Sequence, residues 1–206
     1  MYIKYIKRIF DINCSLLAII ILFPVMLVIS LLVYIKLGSP IIFKQHRVGK
    51  GEKFFTMYKF RTMTNKLDKK GNLLPGKDRL TKFGSVLRSS SLDELPELFN
   101  ILKGDLSIVG PRPLVVEYLP YYTDYERRRH SVRGGLIPPE VLYNNITPTW
   151  KEQFGYEVHY ANHVSFMLDL KILFVTIKGV FKRTSVDYGN YVRGSFADER
   201  KNSINA

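Results

Sequence analysis

The sequence predicts an α+β domain that is mostly helical, contains a small β element, and is held on a membrane by an N-terminal re-entrant helix hairpin. Three observations carry that expectation. Ile12 to Ile35 reads INCSLLAIIILFPVMLVISLLVYI, 24 residues without a charge. Two short alternating runs follow it, around Ser39–Gly49 and Lys53–Met63, with the period of strands. Most of the later chain has the spacing of apolar residues that suits helices.

The apolar run comes first. About 20 residues suffice to span a bilayer, so this segment is long enough. A buried helix of a soluble core fits poorly, because such helices seldom run this far without a polar face. A cleaved signal peptide fits no better: the run exceeds an h-region, and no small-x-small site follows. Lys4, Lys7 and Arg8 precede it, and Lys36, Lys44, Arg47, Lys50 and Lys53 follow. Basic residues mark the cytoplasmic side, and here both flanks are basic. Pro24, in the middle, removes a helix hydrogen bond and bends or breaks the helix. A hairpin that dips into one leaflet satisfies both facts; on these residues alone, a straight span with a tolerated proline stays open. The anchor is placed at 1–38, a domain on the membrane face at 39–197, and a frayed polar tail at 198–206.

After the two strands, TNKLDKKGNLLPGKDR reads as a polar loop of the length that is usually functional. From Leu80 to Gly104 the period is helical and broken by serines into two helices. The second sets Leu95, Leu98, Phe99 and Leu102 on one face and stops at Gly104. Short helices are expected near 122–132 and after Pro148. Ser165–Arg183 is apolar almost all round, with Lys171, Lys178 and Lys182 along one stripe. That pattern suits a helix in the membrane interface, and equally an amphipathic helix packed on a core.

Thirty-one basic against 18 acidic residues give a formal charge of +13, which calls for an anionic partner: nucleic acid, anionic lipid or a phosphorylated substrate. No nucleic-acid-binding signature occurs, so nucleic acid is set aside. Cys14 is the only cysteine, which excludes an internal disulfide and fits a reducing compartment.

Against that charge, SSSLDELPELFNILKGDLSIVGPRP sets Asp93 beside Glu94 where a helix begins. Ser91-x-x-Glu94 matches a capping box, but a helix started at Ser91 would bring Pro96 into its second turn. A start at Leu92 or Asp93 puts the proline in the first turn, where a missing N–H costs little. Both carboxylates then lie at the positive end of the helix dipole, which favours the ionised form and attracts phosphate. An ionised aspartate can attack a phosphoryl group. That attack on an anion needs neutralisation, from magnesium held by a carboxylate and the substrate phosphates, and from arginine. Arg112, fixed between Pro111 and Pro113, and Lys59 and Arg61, alternating on the second strand, are the candidate clamps, with Arg88 just upstream of the pair.

These residues resemble the bacterial sugar transferases, small monotopic phosphoglycosyl transferases. The resemblance rests on the basic start before FDINCSLLAIIILFPV, on QHRVGKGEKFFTMYKFRTM, and above all on RSSSLDELPELFNILKGDLSIVGPRPL. It runs from near residue 5 to near 133 and resumes at FMLDLKILFVTIKGVFKR. It implies transfer of a sugar-1-phosphate from a UDP-sugar to undecaprenyl phosphate with release of UMP, the first membrane step of glycoconjugate assembly. It implies a covalent phosphosugar on Asp93, with Glu94 as its partner, the two holding Mg2+. Lys59, Arg61, Arg88, Arg112 and Arg133 would bind substrate. The N-terminal helix would be re-entrant at Pro24, with the chain on the cytoplasmic face of the bacterial inner membrane. The protein partners consistent with this are downstream glycosyltransferases and a second copy of the chain. A non-catalytic scaffold for glycosyltransferases is the competing reading; it would not need Asp93.

One segment departs from the pattern. After RRRHSV the family usually continues Arg-Pro-Gly-Ile-Thr-Gly-Trp-Ala-Gln, and here the chain reads RGGLIPPEVLYNNITPTW. Arg133 and Gly135 fit; Gly134 stands where the proline would be. In the family this region lies near the donor's nucleotide and sugar, so the stretch from Gly134 to Trp150 leaves the phosphate chemistry intact and puts the donor's identity in question.

Overall fold

The computed structural model describes residues 2–143, 148–182 and 194–204. After a short π-turn at Tyr2–Ile6, α1 runs from Lys7 to Leu37, 31 residues with Pro24 inside it. Helical backbone continues through the proline, so the expected hairpin of two arms broken at Pro24 is replaced by one helix. The physical reason is external support on both sides of the missing hydrogen bond. Lys7, Asp11, Ser15, Met26, Ile29 and Val33 are buried at helical spacing. Ala18, Ile19 and Leu22 pack between them, against Leu98, Ile101 and Leu106. One stripe of α1 is therefore docked along its whole length, while Ile20, Ile21, Leu27, Val28, Leu31 and Ile35 on the other sides are bare.

β1 (Ile42–Val48) and β2 (Phe54–Phe60) form an antiparallel hairpin, Ile42 opposite Phe60 and Val48 opposite Phe54. The expected strands are thus present. The polar loop beyond them ends in α2 (Gly76–Arg79). α3 (Lys82–Ser89) starts at Thr81, whose hydroxyl accepts from the Gly84 amide. A single 3-10 turn, Leu92–Glu94, leads through Pro96 into α4 (Glu97–Lys103), which ends at Gly104 with φ 96°. The apolar face of α4 differs from expectation. Leu98 and Ile101 are buried but Phe99 is exposed, because α4 is pressed between α1, β2 and the strand after it.

That strand, β3 (Leu106–Val109), pairs in parallel with β4 (Gly134–Ile137), a sheet that sequence reading did not foresee. Between the two lie a 3-10 stretch at Val116–Tyr121 and α5 (Asp124–Arg127), which runs on into a 3-10 turn at Arg128–Ser131. α6 (Trp150–Asn162) is capped by Thr149 and Glu152, which satisfy each other's backbone amides. α7 (Phe166–Lys182) buries Asp169 and Ile172 and leaves Phe166, Met167, Leu170, Phe174 and Ile177 exposed. Lys171 and Lys178 are exposed too; the side chain of Lys182, which completes the stripe, lies outside the described residues. The polar tail expected from Asp198 is instead most of α8 (Phe196–Ile204). Phe196 is fully buried among Tyr122, Trp150 and Phe154, and Arg200 pairs with Glu126, which is enough to order a segment of polar composition.

Buried polar ties lock α1 to this body. Lys7 Nζ lies 2.6 Å from Asp169 Oδ2, and Tyr160 donates to the other oxygen of Asp169 at 2.6 Å. Asp11 accepts from the Ser107 hydroxyl and the Ile108 amide. Buried charges are tolerated where every oxygen is answered in this way.

Candidate active site

The site forms where β2 passes the turn that opens α4. Asn100, fully buried on α4, holds the two together: its Nδ2 donates to Thr56 O at 2.7 Å and its Oδ1 accepts from Tyr58 N at 3.0 Å. Asn100 stands in for a neighbouring strand and so fixes Lys59, the next residue. Lys59 Nζ reaches Glu94 Oε1 at 2.6 Å and Glu97 Oε1 at 3.1 Å. Arg112 comes from the turn after β3, with its Nη2 3.4 Å from the same Glu94 oxygen and a half-exposed side chain. Asp93 is buried, 7% exposed, in the 3-10 turn, and Ser91 before it has φ 57°. A serine in the left-handed region costs roughly 1 kcal/mol, and such strain concentrates at functional turns.

The electrostatics revise one expectation. The helix start was expected to keep the Asp93 carboxylate ionised. Burial instead pushes its carboxyl upward, opposed by the charges of Lys59 and Arg88 and reinforced by Glu94. Glu97 is driven further, from the ordinary 4.5 to about 7, again chiefly by burial. The desolvation of a carboxylate in this enclosed turn outweighs the attraction of a short helix's amides. On β1, burial and the neighbouring Arg112 hold Arg47 below the usual arginine range; two guanidinium groups face a common region.

The predicted residues divide. Asp93, Glu94, Lys59 and Arg112 are brought together, and Arg88, whose Nε donates to Thr62 Oγ1 at 2.9 Å, is near enough to act on Asp93. Arg61 is not part of the site. β2 ends at Phe60, and the buried Arg61 turns to donate to Ser39 O at 2.8 Å and Gly38 O at 2.9 Å, fastening the C-terminal end of α1. Arg133 also lies elsewhere: its Nε donates to Gly104 O at 2.9 Å, at the far end of α4, beside Arg8 on Ile101 O and Leu102 O. Both arginines satisfy carbonyls left open at helix ends. Sequence reading missed Glu97, Asn100 and Arg47. Glu97 could have been found, since it follows Glu94 at i+3, on one helix side.

A carboxylate-rich turn flanked by cationic groups, on a body whose long N-terminal helix leaves its outer apolar sides bare, is a site suited to phosphate chemistry. Comparison with known proteins agrees in kind. The family model described as Bacterial sugar transferase matches residues 2–183, and the chain belongs to that family, which makes it an enzyme of the transferase class. It is 44% identical over 187 residues to the Uncharacterized sugar transferase EpsL of Bacillus subtilis (strain 168), covering 91% of this chain and 93% of that one. Over 187 residues it is 34% identical to the UDP-N-acetylgalactosamine-undecaprenyl-phosphate N-acetylgalactosaminephosphotransferase of Aeromonas hydrophila, 85% of this chain and 44% of that protein. It is 35% identical over 187 residues to the UDP-glucose:undecaprenyl-phosphate glucose-1-phosphate transferase of Xanthomonas campestris pv. campestris, again 85% of this chain, and 38% of the relative. The chain thus spans less than half the length of these two.

Proposed function

We propose that this protein is a phosphoglycosyl transferase that moves a sugar-1-phosphate from a UDP-sugar to undecaprenyl phosphate, with Asp93 as the nucleophile. The observation that carries the reading is the meeting of Asp93, Glu94 and Glu97 with Lys59, Arg88 and Arg112 at one turn. The relatives named for undecaprenyl-phosphate transfer support the two substrates.

In the first step an Asp93 oxygen bonds to the β-phosphorus of the donor. The bond from that phosphorus to the bridging oxygen breaks, and UMP leaves with the electron pair. In the second, a phosphate oxygen of undecaprenyl phosphate attacks the same phosphorus, the bond to Asp93 breaks, and the carboxylate is restored. Splitting the transfer in two is what a covalent nucleophile offers. Lys59 and Arg112 neutralise the incoming diphosphate, and Arg47 adds a second guanidinium from β1. The charge of Lys59 and Arg88 keeps Asp93 accessible to its ionised form against the pull of burial.

Magnesium fits this turn. Lys59 Nζ holds Glu94 at 2.6 Å and Glu97 at 3.1 Å, and Glu94 acts on the neighbouring Asp93, so carboxylate oxygens stand beside the cationic groups that would meet the diphosphate. No ready-made group of three His, Cys, Asp or Glu ligands occurs among the described residues. Magnesium does not require one, since it takes one or two carboxylates and completes its shell with phosphate and water. Asp93 and Glu94 would hold it, and it would supply charge neutralisation on the diphosphate oxygens.

The membrane arrangement belongs to the same proposal. A helix of 31 residues is about 46 Å long at 1.5 Å per residue. A straight span would carry half of it away from the cytoplasmic domain, yet the stripe from Lys7 to Val33 is docked throughout. A monotopic chain, with the unbroken α1 lying along the cytoplasmic face of the inner membrane beside the bare side of α7, accounts for this. The test is UMP release by detergent-solubilised protein given undecaprenyl phosphate, magnesium and a panel of UDP-sugars, with Asp93→Asn alongside. Release with one donor and its loss in the variant are expected; release that persists in Asp93→Asn refutes the nucleophile.

A further inference from the structure

Behind Arg112 lies a buried ion pair that the transfer chemistry does not itself use. Arg129 Nε and Glu157 Oε2 are 2.5 Å apart, with side chains 1% and 0% exposed. Each partner also binds the main chain of Arg112. The Arg112 amide donates to Glu157 Oε1 at 3.0 Å, and Arg129 Nη2 donates to the Arg112 carbonyl. Between Pro111 and Pro113 that amide is the turn's only N–H. The remaining link comes from the divergent segment, where the Gly135 amide donates to Pro111 O at 2.9 Å. The backbone of the turn is thus held from three sides, while the guanidinium is left half exposed and aimed at Glu94.

A buried ion pair is a poor way to gain stability, because desolvation offsets most of the attraction and apolar residues of similar size do as well. Its value lies in geometry. Gln153 Nε2 at 3.0 Å from Glu157 Oε1 and the Tyr122 hydroxyl at 3.2 Å from Arg129 Nη1 fix both side chains in turn. Burial then prevents water from competing for the Arg112 peptide.

We propose that Glu157 and Arg129 are positioning residues that aim Arg112 at the donor diphosphate. This rests on the reading that Arg112 binds phosphate. Arginine recognises phosphate through a planar fork, so its direction matters as well as its charge. A displacement of about 1 Å at such a group can cost on the order of 100-fold.

The experiment is a double-mutant cycle on UDP binding by the full chain in detergent, using Arg112→Ala, Glu157→Gln and the pair together. Circular dichroism and the thermal midpoint establish that each variant is folded. Arg112→Ala is expected to weaken UDP binding about 10- to 100-fold, the range for a lost charge-assisted contact. Glu157→Gln is expected to weaken it about 10-fold in the native background and not at all in the Arg112→Ala background. Arg129→Lys, which keeps the charge but loses the fork, is expected to do the same and serves if Glu157→Gln does not fold. A full further loss in the double variant, or unchanged binding in folded Glu157→Gln and Arg129→Lys while Arg112→Ala is impaired, overturns the positioning role. Unchanged binding in Arg112→Ala overturns instead the underlying reading of Arg112.

Discussion

Glu97 offers a quantitative check on the site. Its side chain is almost wholly enclosed, and burial lifts its carboxyl from 4.5 to about 7, against the pull of Lys59 at 3.1 Å. The folded state therefore binds a proton that the unfolded chain releases. For a carboxyl raised in this way, the favourable contribution is complete below pH 4.5 and is lost as pH rises to about 7. A carboxyl raised from 4.5 to about 7 carries ~3 kcal/mol of pH-dependent stability. Glu97→Gln removes the titration and leaves Lys59 paired with Glu94. Urea unfolding of the two proteins in detergent, without divalent cations, from pH 5 to 8 measures the difference. The variant should gain ~2–3 kcal/mol relative to the native protein across that range. Parallel curves, or a native protein that gains on the variant as pH rises, would refute the argument that burial governs this carboxyl.

Three further outcomes follow from named contacts. Asn100→Ala should cut kcat/KM about 10-fold or more and cost ~1–3 kcal/mol of stability, since the Thr56 carbonyl and Tyr58 amide that position Lys59 lose their partner; steady-state kinetics and unfolding midpoints check both. Gly135→Ala should be strongly destabilising, as a Cβ there would lie 2.1 Å from the Gly110 amide nitrogen, backbone that cannot move aside; a midpoint equal to the native one contradicts this. Phe196→Ala should cost ~3–5 kcal/mol by emptying the space between Trp150, Phe154 and Tyr122, whereas a frayed tail would show no change in thermal unfolding.

What could be read from the sequence was whatever is encoded locally. The apolar run of α1, the alternation of β1 and β2 and the stop at Gly104 depend on neighbours in the chain, and all are present, whereas the helix start expected at Leu92 or Asp93 is a separate 3-10 turn and α4 opens only at Glu97, after Pro96. The Asp93–Glu94 turn and Arg112 were found because motif and spacing announce them. β3 and β4 escaped notice because each is only four residues long, and β4 opens with two glycines that carry no strand signal. Their pairing is decided by close approach, Gly135 against Gly110. α8 escaped because one buried phenylalanine, not its polar composition, holds it. Alternation placed Arg61 with Lys59, but the strand stops between them at Phe60. Arg129 and Glu157 are 28 positions apart and have no shared local pattern; only the fold brings them together beneath Arg112.

The measurement that bears most directly on the covalent mechanism is peptide mass spectrometry of the protein incubated with its UDP-sugar and magnesium, without undecaprenyl phosphate. A phosphosugar on the peptide that contains Asp93, absent in Asp93→Asn and discharged when the lipid phosphate is added, is the predicted result. An adduct on another residue, or turnover to the lipid product with no adduct on any peptide, would contradict it.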